Sequence, residues 1–205
     1  MKQFFITSAF VFISLFSFAQ DQKWSVEANY PLNLTSGLGM GETNGVIDLG
    51  VKYRFLYIGP VQIGAGLNTS FLKNFDSFTY GSGSGDQEFI YKNKHFLLQP
   101  KMFGEITIPG MTNLKSQLAI GYTVLIDDIY YKDGNVINAD TSETDGGLNL
   151  NLGLSYDITR RFFVQIQYDY IRLNRKGTSI YNGQSYPYDF NENVSLLKAG
   201  VGFRF

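Results

Sequence analysis

The sequence predicts an all-β fold: an eight-stranded antiparallel up-and-down transmembrane β-barrel with short periplasmic turns and long outer loops. Three observations predict it. Apolar and polar residues alternate in eight separate runs, the charged residues keep to one face of those runs, and the connections between runs are alternately short and long. Alternation with a period of two is the pattern of a strand with one buried face.

Residues 1–19 read as a secretory signal peptide. Lys2 supplies the positive start, residues 4–18 are mainly apolar, and Ser17-Phe18-Ala19 has the small-x-small pattern of a cleavage site. An N-terminal membrane anchor is the alternative, but the apolar stretch is shorter than the roughly 20 residues that a membrane helix needs. We therefore predict export of a single barrel domain that comprises residues 20–205.

The chain after the signal peptide divides into eight alternating runs. In chain order they cover residues 24–30, 46–55, 61–71, 96–106, 116–126, 148–156, 162–170 and 196–205. Runs of about 9–11 residues have the length that a tilted strand needs to cross a bilayer. No other segment is apolar enough for a membrane helix, so strands must do any spanning.

The first four runs each gather their apolar side chains on one face. In order, these are Trp24, Val26, Ala28 and Tyr30; Ile47, Leu49, Val51, Tyr53 and Phe55; Val61, Ile63, Ala65, Leu67 and Phe71; and Phe96, Leu98, Met102 and Ile106. Pro100 interrupts the fourth run, where a closed barrel needs every backbone N–H. We predict a local bulge at Pro100, or a partner carbonyl that binds water in the lumen.

The last four runs alternate in the same way. Their apolar faces carry Leu118, Ile120, Tyr122, Val124 and Ile126; Leu148, Leu150, Leu152, Leu154 and Tyr156; Phe162, Val164, Ile166, Tyr168 and Tyr170; and Leu197, Ala199, Val201, Phe203 and Phe205. A terminal aromatic on a two-faced strand is typical of barrels that close in a membrane.

The opposite face of the runs carries the charges, five acidic and five basic. They are Glu27, Asp48, Lys52, Arg54, Lys101, Glu105, Asp157, Asp169, Lys198 and Arg204. Eight strands enclose a lumen only wide enough for side chains, and glycines on the same face leave room for long ones. We therefore predict that the charges pair in the lumen while the apolar face meets lipid, with Arg54, Lys52 and Asp48 bound to charges on neighbouring strands. A conduction path along these charges is the alternative.

Aromatic residues lie near both ends of the apolar face and predict two interfacial girdles. The set is Trp24, Tyr30, Phe55, Phe71, Phe96, Tyr156, Phe162, Tyr168 and Tyr170. The connections after runs two, four and six are short, and those after runs one, three, five and seven are long. This asymmetry places the short turns and both termini in the periplasm.

On these features the chain resembles the small eight-stranded outer-membrane β-barrels of the OmpA/OmpX type, and in particular the β-barrel-domain or porin-family proteins of Bacteroidetes-like bacteria. The most specific motif is the C-terminal assembly signal, formed by Lys198, Gly200, Phe203 and Phe205. The resemblance implies location in the outer membrane of a Gram-negative cell, contact with outer-membrane lipids, and recognition of the last strand by the barrel-assembly machinery.

Composition narrows the chemistry that the chain can perform. There is no cysteine, so disulfides, thiolate nucleophiles and cysteine-bound metals are excluded. With 17 basic and 18 acidic residues there is no overall field to attract nucleic acid. His95 is the only histidine, and no spacing selects a serine and an acid to accompany it. We predict no enzyme activity, no catalytic residue, no metal and no cofactor.

Three functions remain open at this point. We favour a monomeric barrel with a side-chain-filled lumen and a structural or surface-interaction role, its outer loops contacting an extracellular partner. A narrow, porin-like channel for ions or small solutes is the first alternative, and a lipid-modifying outer-membrane enzyme that uses His95 is the second. The outer segment 127–145, which holds six acids, reads as a solvated acidic loop rather than a calcium site, because its acids lack the calcium-loop spacing.

Overall fold

The computed structural model describes residues 22–35, 43–82, 85–133, 136–181 and 184–205, and the predicted signal peptide lies outside this range. The described chain forms a closed antiparallel barrel in which every strand is hydrogen-bonded to its sequence neighbours and the last strand pairs with the first. The strands are β1 (Trp24–Asn33), β2 (Asn44–Ile58), β3 (Val61–Ser82), β4 (Gly85–Thr107), β5 (Leu114–Asp133), β6 (Val136–Asp157), β7 (Phe162–Tyr181) and β8 (Gln184–Arg204). Among the described residues, no helix is long and apolar enough to cross a membrane.

The ring closes between the first and last strands. Val26 lies opposite Phe203, and Ala28 lies opposite Val201. Beyond the last strand pair, the backbone N–H of Trp24 donates to Phe205 over 3.1 Å, and the N–H of Phe205 donates back to Trp24 over 3.0 Å. The C-terminal residue is therefore part of the seam that removes the free edges of the sheet.

Short turns join the strands at one end of the barrel, which we call the turn end; the other is the hairpin end. Residues 59–60, 108–113 and 158–161 make these turns. Gly59 and Gly110 adopt φ angles of 57° and 82°, which glycine reaches without the steric cost that a side chain would add. This is the alternation of short and long connections that the sequence predicts.

At the hairpin end, most of the predicted outer-loop sequence is continued strand. β3 and β4 stay paired as far as Ser82 and Gly85, and β7 and β8 as far as Tyr181 and Gln184. Aromatic and β-branched residues such as Phe75 persist there, and such side chains favour a pleated backbone. In their described residues, the connections after β3, β5 and β7 are therefore hairpins that extend the barrel wall.

The extended wall is not a complete ring. Pairing of β2 with β3 ends at Asn44 and Lys73, and pairing of β6 with β7 ends at Gly146 and Asn174. Beyond these points the described residues form a four-stranded sheet, β3 to β6, and a separate β7–β8 hairpin. A hydrogen bond of 3.2 Å from Tyr188 to Glu143 joins the two.

Of the two alternatives predicted at Pro100, the bulge is wrong, and the partner carbonyl that binds water stays a prediction. Leu67 pairs with Pro100 on one side, and the β4–β5 register is the same before and after it, with Leu98 opposite Val124 and Lys101 opposite Gly121. The ladder omits only the two intervening pairs, where proline has no N–H to donate. The strand thus passes Pro100 without gaining a residue.

Candidate functional site

The lumen is the candidate site. Its turn end is filled by two arginines, each of which is paired with an acidic side chain. Arg54 donates to both carboxylate oxygens of Glu105, over 3.4 and 3.3 Å. Arg204 pairs with Asp157, and its guanidinium lies 4.1 Å from the ring centre of Phe163. Acidic and aromatic neighbours together compensate the two buried cations.

Phe163 packs into this layer because Gly202 lies directly opposite it on β8. A Cβ added at Gly202 would lie 2.1 Å from the Phe163 ring, which is closer than two non-bonded carbon atoms can approach. Glycine on the lumen face therefore makes room for a large inward side chain, in this case an aromatic one.

The middle of the lumen is organised around Lys198. Its Nζ lies 2.7 Å from Oδ2 of Asp48 and 2.7 Å from Oδ2 of Asp169, and none of the three side chains is exposed. Beside them, Nζ of Lys52 lies 2.6 Å from Oε1 of Glu27. Lys52 pairs with neighbouring β1, as predicted, but Asp48 pairs with β8 and Arg54 with β4, each two places away in the ring, so the predicted neighbouring-strand partners are wrong for these two. Each of these ions meets an opposite charge, which offsets the cost of burying it.

Neutral amide side chains connect these ion pairs. Hydrogen bonds run from Asn29 and Asn68 to Asp48, from Asn151 to Gln167 and Asp169, from Gln167 to Glu27, and from Lys52 to Gln117. Within the described residues, the Nζ atom of buried Lys101 has no hydrogen-bond partner. The network links all parts of the ring across the lumen.

Above the charged network, seven apolar side chains form a buried cluster in the lumen. This apolar plug comprises Leu72, Leu97, Leu125, Ile171, Leu173, Val194 and Leu196, each 0% exposed. Leu97 lies directly opposite Leu125, and Ile171 lies opposite Val194.

A second charged cluster covers the plug on the hairpin side. His95 Nδ1 lies 2.5 Å from Oδ1 of Asp127, whose Oδ2 accepts from Nη1 of Arg175 over 2.9 Å. Arg175 also binds Asp145, over 3.0 Å, and Glu192. Burial raises the pKa of the Asp145 carboxyl above its usual value, against the opposing effect of Arg175.

His95 is wholly buried, so it is not a hydrated rim histidine. Asp127 points inward to it, while Asp128 is exposed on the outside, as strand alternation requires. His95 thus contacts Asp127, which in turn binds Arg175, inside the barrel. Within the described ranges, no three His, Asp or Glu side chains are placed to hold a metal ion.

The outer face of the barrel is apolar. Leu118, Leu148, Leu152 and Val201 are each 57–63% exposed. All nine residues of the predicted girdles lie on this face; Phe71 and Tyr168 are half-buried, and the other seven are exposed. Rings contact one another near the turn end, with Trp24 and Tyr53 centred 4.6 Å apart and Phe162 and Phe203 4.9 Å apart.

The structure brings the ten predicted lumen charges together inside the ring. Nine are buried, and Asp157 is half-buried at the turn end. Of the predicted assembly signal, Lys198 is enclosed in the lumen, while Phe203 and Phe205 stack with ring centres 6.2 Å apart. The part these residues play in assembly stays a prediction.

Sequence reasoning missed the apolar plug and the cluster around Arg175. The plug residues sit on the face assigned to charges, and five of the seven lie next to an outward apolar residue, as in Phe96-Leu97-Leu98 and Val124-Leu125-Ile126. The sequence did contain a signal for the plug: three consecutive apolar residues interrupt the alternation in both β4 and β5, and the two interruptions lie opposite each other. Arg175 lies beyond the last alternating residue of run seven, where the pattern predicts an outer loop and gives no indication of a lumen side chain.

Comparison with solved structures identifies the fold. The barrel is similar to Neisserial surface protein A, with a TM-score of 0.51 and 17% identity over 89% of this chain and 96% of that one. It is similar to Ail, the attachment invasion locus protein of Yersinia pestis, solved in complex with the heparin analogue sucrose octasulfate, with a TM-score of 0.50 and 12% identity over 89% and 96%. No protein-family model and no curated protein matches the chain.

Fold and site together define a class. The chain has the fold of the small eight-stranded outer-membrane β-barrels, with an apolar outer wall, an ion-paired interior and long hairpins at one end. At these identities the likeness concerns the fold alone.

Proposed function

We propose that this protein is an outer-membrane barrel with a structural and surface-interaction role. One observation carries the proposal: the barrel encloses charged side chains and exposes apolar ones, which is the reverse of a water-soluble barrel. Lys198, Asp48 and Asp169 are wholly enclosed, whereas Leu148 is 63% exposed. A barrel in water would expose the ions and bury the leucines, so lipid is the solvent that suits this wall.

The filled lumen favours the structural role over the conduction of ions or small solutes. The ion pairs occupy its turn end and middle, and the apolar plug lies above them. We expect no stable conductance from the protein in planar bilayers. A steady single-channel current would count against the structural role and in favour of a channel.

The hairpin end supplies the surface for a partner. Tyr186 and Phe190 of β8 are 48% and 49% exposed, well beyond the last pairing of β1 with β8 at Asn33 and Leu196. Exposed aromatic side chains on a rigid strand suit protein recognition, because they supply contact area at a low cost in conformational entropy.

The absence of native cysteine allows a direct test of location and orientation. Met111, 59% exposed in a turn, and Phe190, 49% exposed on a hairpin, lie at opposite ends of the barrel and can each be replaced by cysteine. A maleimide that cannot cross membranes should label Phe190→Cys on intact cells, and Met111→Cys only after the outer membrane is permeabilised. Equal labelling of both, or recovery of the protein in the soluble periplasmic fraction, would contradict the proposal.

A further inference from the structure

The outer wall changes from apolar to basic at the start of the β3–β4 hairpin. Phe71 and Phe96 lie directly opposite each other, and Phe96 lies opposite Ile126 of β5. The next outward-facing pair is Lys73 and Lys94. Two residues along a strand advance by roughly 7 Å, so the charges begin one such step beyond the last wholly apolar row.

A third lysine extends this basic surface. Lys92 follows Lys94 on the same face of β4 and lies opposite Phe75 on β3 and Tyr130 on β5. Its Nζ lies 5.4 Å from the ring centre of Phe75 and 5.6 Å from that of Tyr130, within the range of cation–π contact. We call Lys73, Lys92 and Lys94 the lysine cluster.

The lysine cluster gathers three positive charges on one part of the outer wall. All three side chains are exposed, and among the described residues none of them makes an ion pair. Asp128 lies directly opposite Lys94, and Asp140 lies one strand further along the Lys92 row, opposite Tyr130. Like charges placed directly opposite each other in a sheet repel, so a ligand that carries negative charge would relieve the repulsion between Lys73 and Lys94.

We propose that the lysine cluster binds the phosphate-bearing headgroup of a lipid in the leaflet at the hairpin end. The site combines an apolar wall for acyl chains, cations one step beyond it, and aromatic rings that hold the outermost cation. This inference rests on the proposed membrane location, which brings the Phe71–Phe96 row to the edge of the hydrocarbon. Phosphate accepts charge-assisted hydrogen bonds from lysine, which acts on it as a point charge.

Native mass spectrometry of the folded barrel in detergent tests the proposal. The probes are dioleoyl phosphatidic acid, dioleoylglycerol with the same chains and no phosphate, and inorganic phosphate. The barrel should retain phosphatidic acid, with dioleoylglycerol bound at least about tenfold more weakly and inorganic phosphate unable to displace the lipid at equal concentration. The triple variant Lys73→Gln/Lys92→Gln/Lys94→Gln should lose about tenfold or more in affinity for phosphatidic acid.

Lys176→Gln is the matched control, because Lys176 is also an outward-facing lysine near the hairpin end but is paired with Asp189 over 2.9 Å. It should bind phosphatidic acid as the unchanged protein does. Equal binding by the triple variant, an equal loss in Lys176→Gln, or displacement by inorganic phosphate alone would each overturn the lipid site.

A gain-of-binding variant keeps the test decisive if the triple variant does not fold. Asp128→Asn removes the acid of the Lys94 row and should raise affinity for phosphatidic acid by about threefold, with the effect fading at high salt. No gain in Asp128→Asn would overturn the proposal. Because binding is measured in detergent, its outcome is separate from the labelling experiment that decides location.

Discussion

Lys198 Nζ lies 2.7 Å from Oδ2 of Asp48, and neither side chain is exposed. The two residues belong to β8 and β2, which are separated in the ring by β1. Their contact therefore crosses the lumen beneath an intervening strand and ties the closing seam to the rest of the barrel. An ion pair of this kind is costly to break, since the remaining charge stays enclosed.

Replacing Lys198 with methionine should strongly destabilise the barrel. The change would leave Asp48 and Asp169 facing each other without their shared cation, and breaking a buried pair costs about 3–5 kcal/mol. Urea unfolding in lipid vesicles, followed by the fluorescence of Trp24, the single tryptophan, would measure the loss. The control Lys176→Met breaks an ion pair whose partners are 62% and 60% exposed and should cost less than about 1 kcal/mol.

Arg54→Ala should lower the unfolding temperature in detergent because Glu105 loses its main partner. Glu105 lies 3.3 Å from Arg54 but 4.0 Å from Arg204, so the second arginine does not replace the first. The double variant Arg54→Ala/Glu105→Ala should be less destabilised than the sum of the two single variants. Strict additivity of the two changes would show that the pair is not coupled.

Leucines of the plug and of the outer wall should differ in their sensitivity to truncation. Leu97→Ala opens a cavity in a closed cluster and should cost about 2–5 kcal/mol. Leu150→Ala, at a position 47% exposed on the outer wall, should cost less in vesicles, since lipid can fill the space that the side chain leaves. Denaturant midpoints of the two variants decide the point, and a larger loss for Leu150→Ala would contradict the assignment of inside and outside.

Deleting Phe205 should slow membrane insertion. The deletion removes both backbone hydrogen bonds between residues 24 and 205 and the stacking of Phe205 on Phe203. Heat-modifiable migration on gels, followed over time after dilution into vesicles, reports the folded fraction. Phe205→Leu keeps the backbone bonds and separates the role of the ring from that of the seam; normal insertion of the deleted protein would refute a role for Phe205.

Much of the fold follows from alternation, because a membrane barrel imposes one solvent on each face. Positions such as Leu150 and Ile166 predict the outer wall, and Arg54 and Lys198 the interior. Strand ends at the hairpin side do not follow from it, since outside a membrane neither face of a paired strand must be apolar. Residues such as Ser77 and Thr79 then read as loop although they are paired.

The interior was predicted only in part, for a related reason. Alternation assigns Leu72, Leu97 and Ile171 to the lumen but does not say that an apolar layer will form there. That layer depends on register, which brings Leu97 opposite Leu125, and register is fixed by pairing across the whole ring. Likewise, His95 contacts Asp127 because the β4–β5 register places them opposite each other, which their spacing along the chain does not predict.

Electron paramagnetic resonance of a nitroxide attached at Leu150→Cys, in protein reconstituted into lipid vesicles, tests the orientation of the wall most directly. The label should be readily reached by oxygen, which dissolves in hydrocarbon, and shielded from a water-soluble nickel complex. A label on Phe190→Cys, at the hairpin end, should show the reverse. Free access of the nickel complex to position 150 would place that face in water and contradict the account.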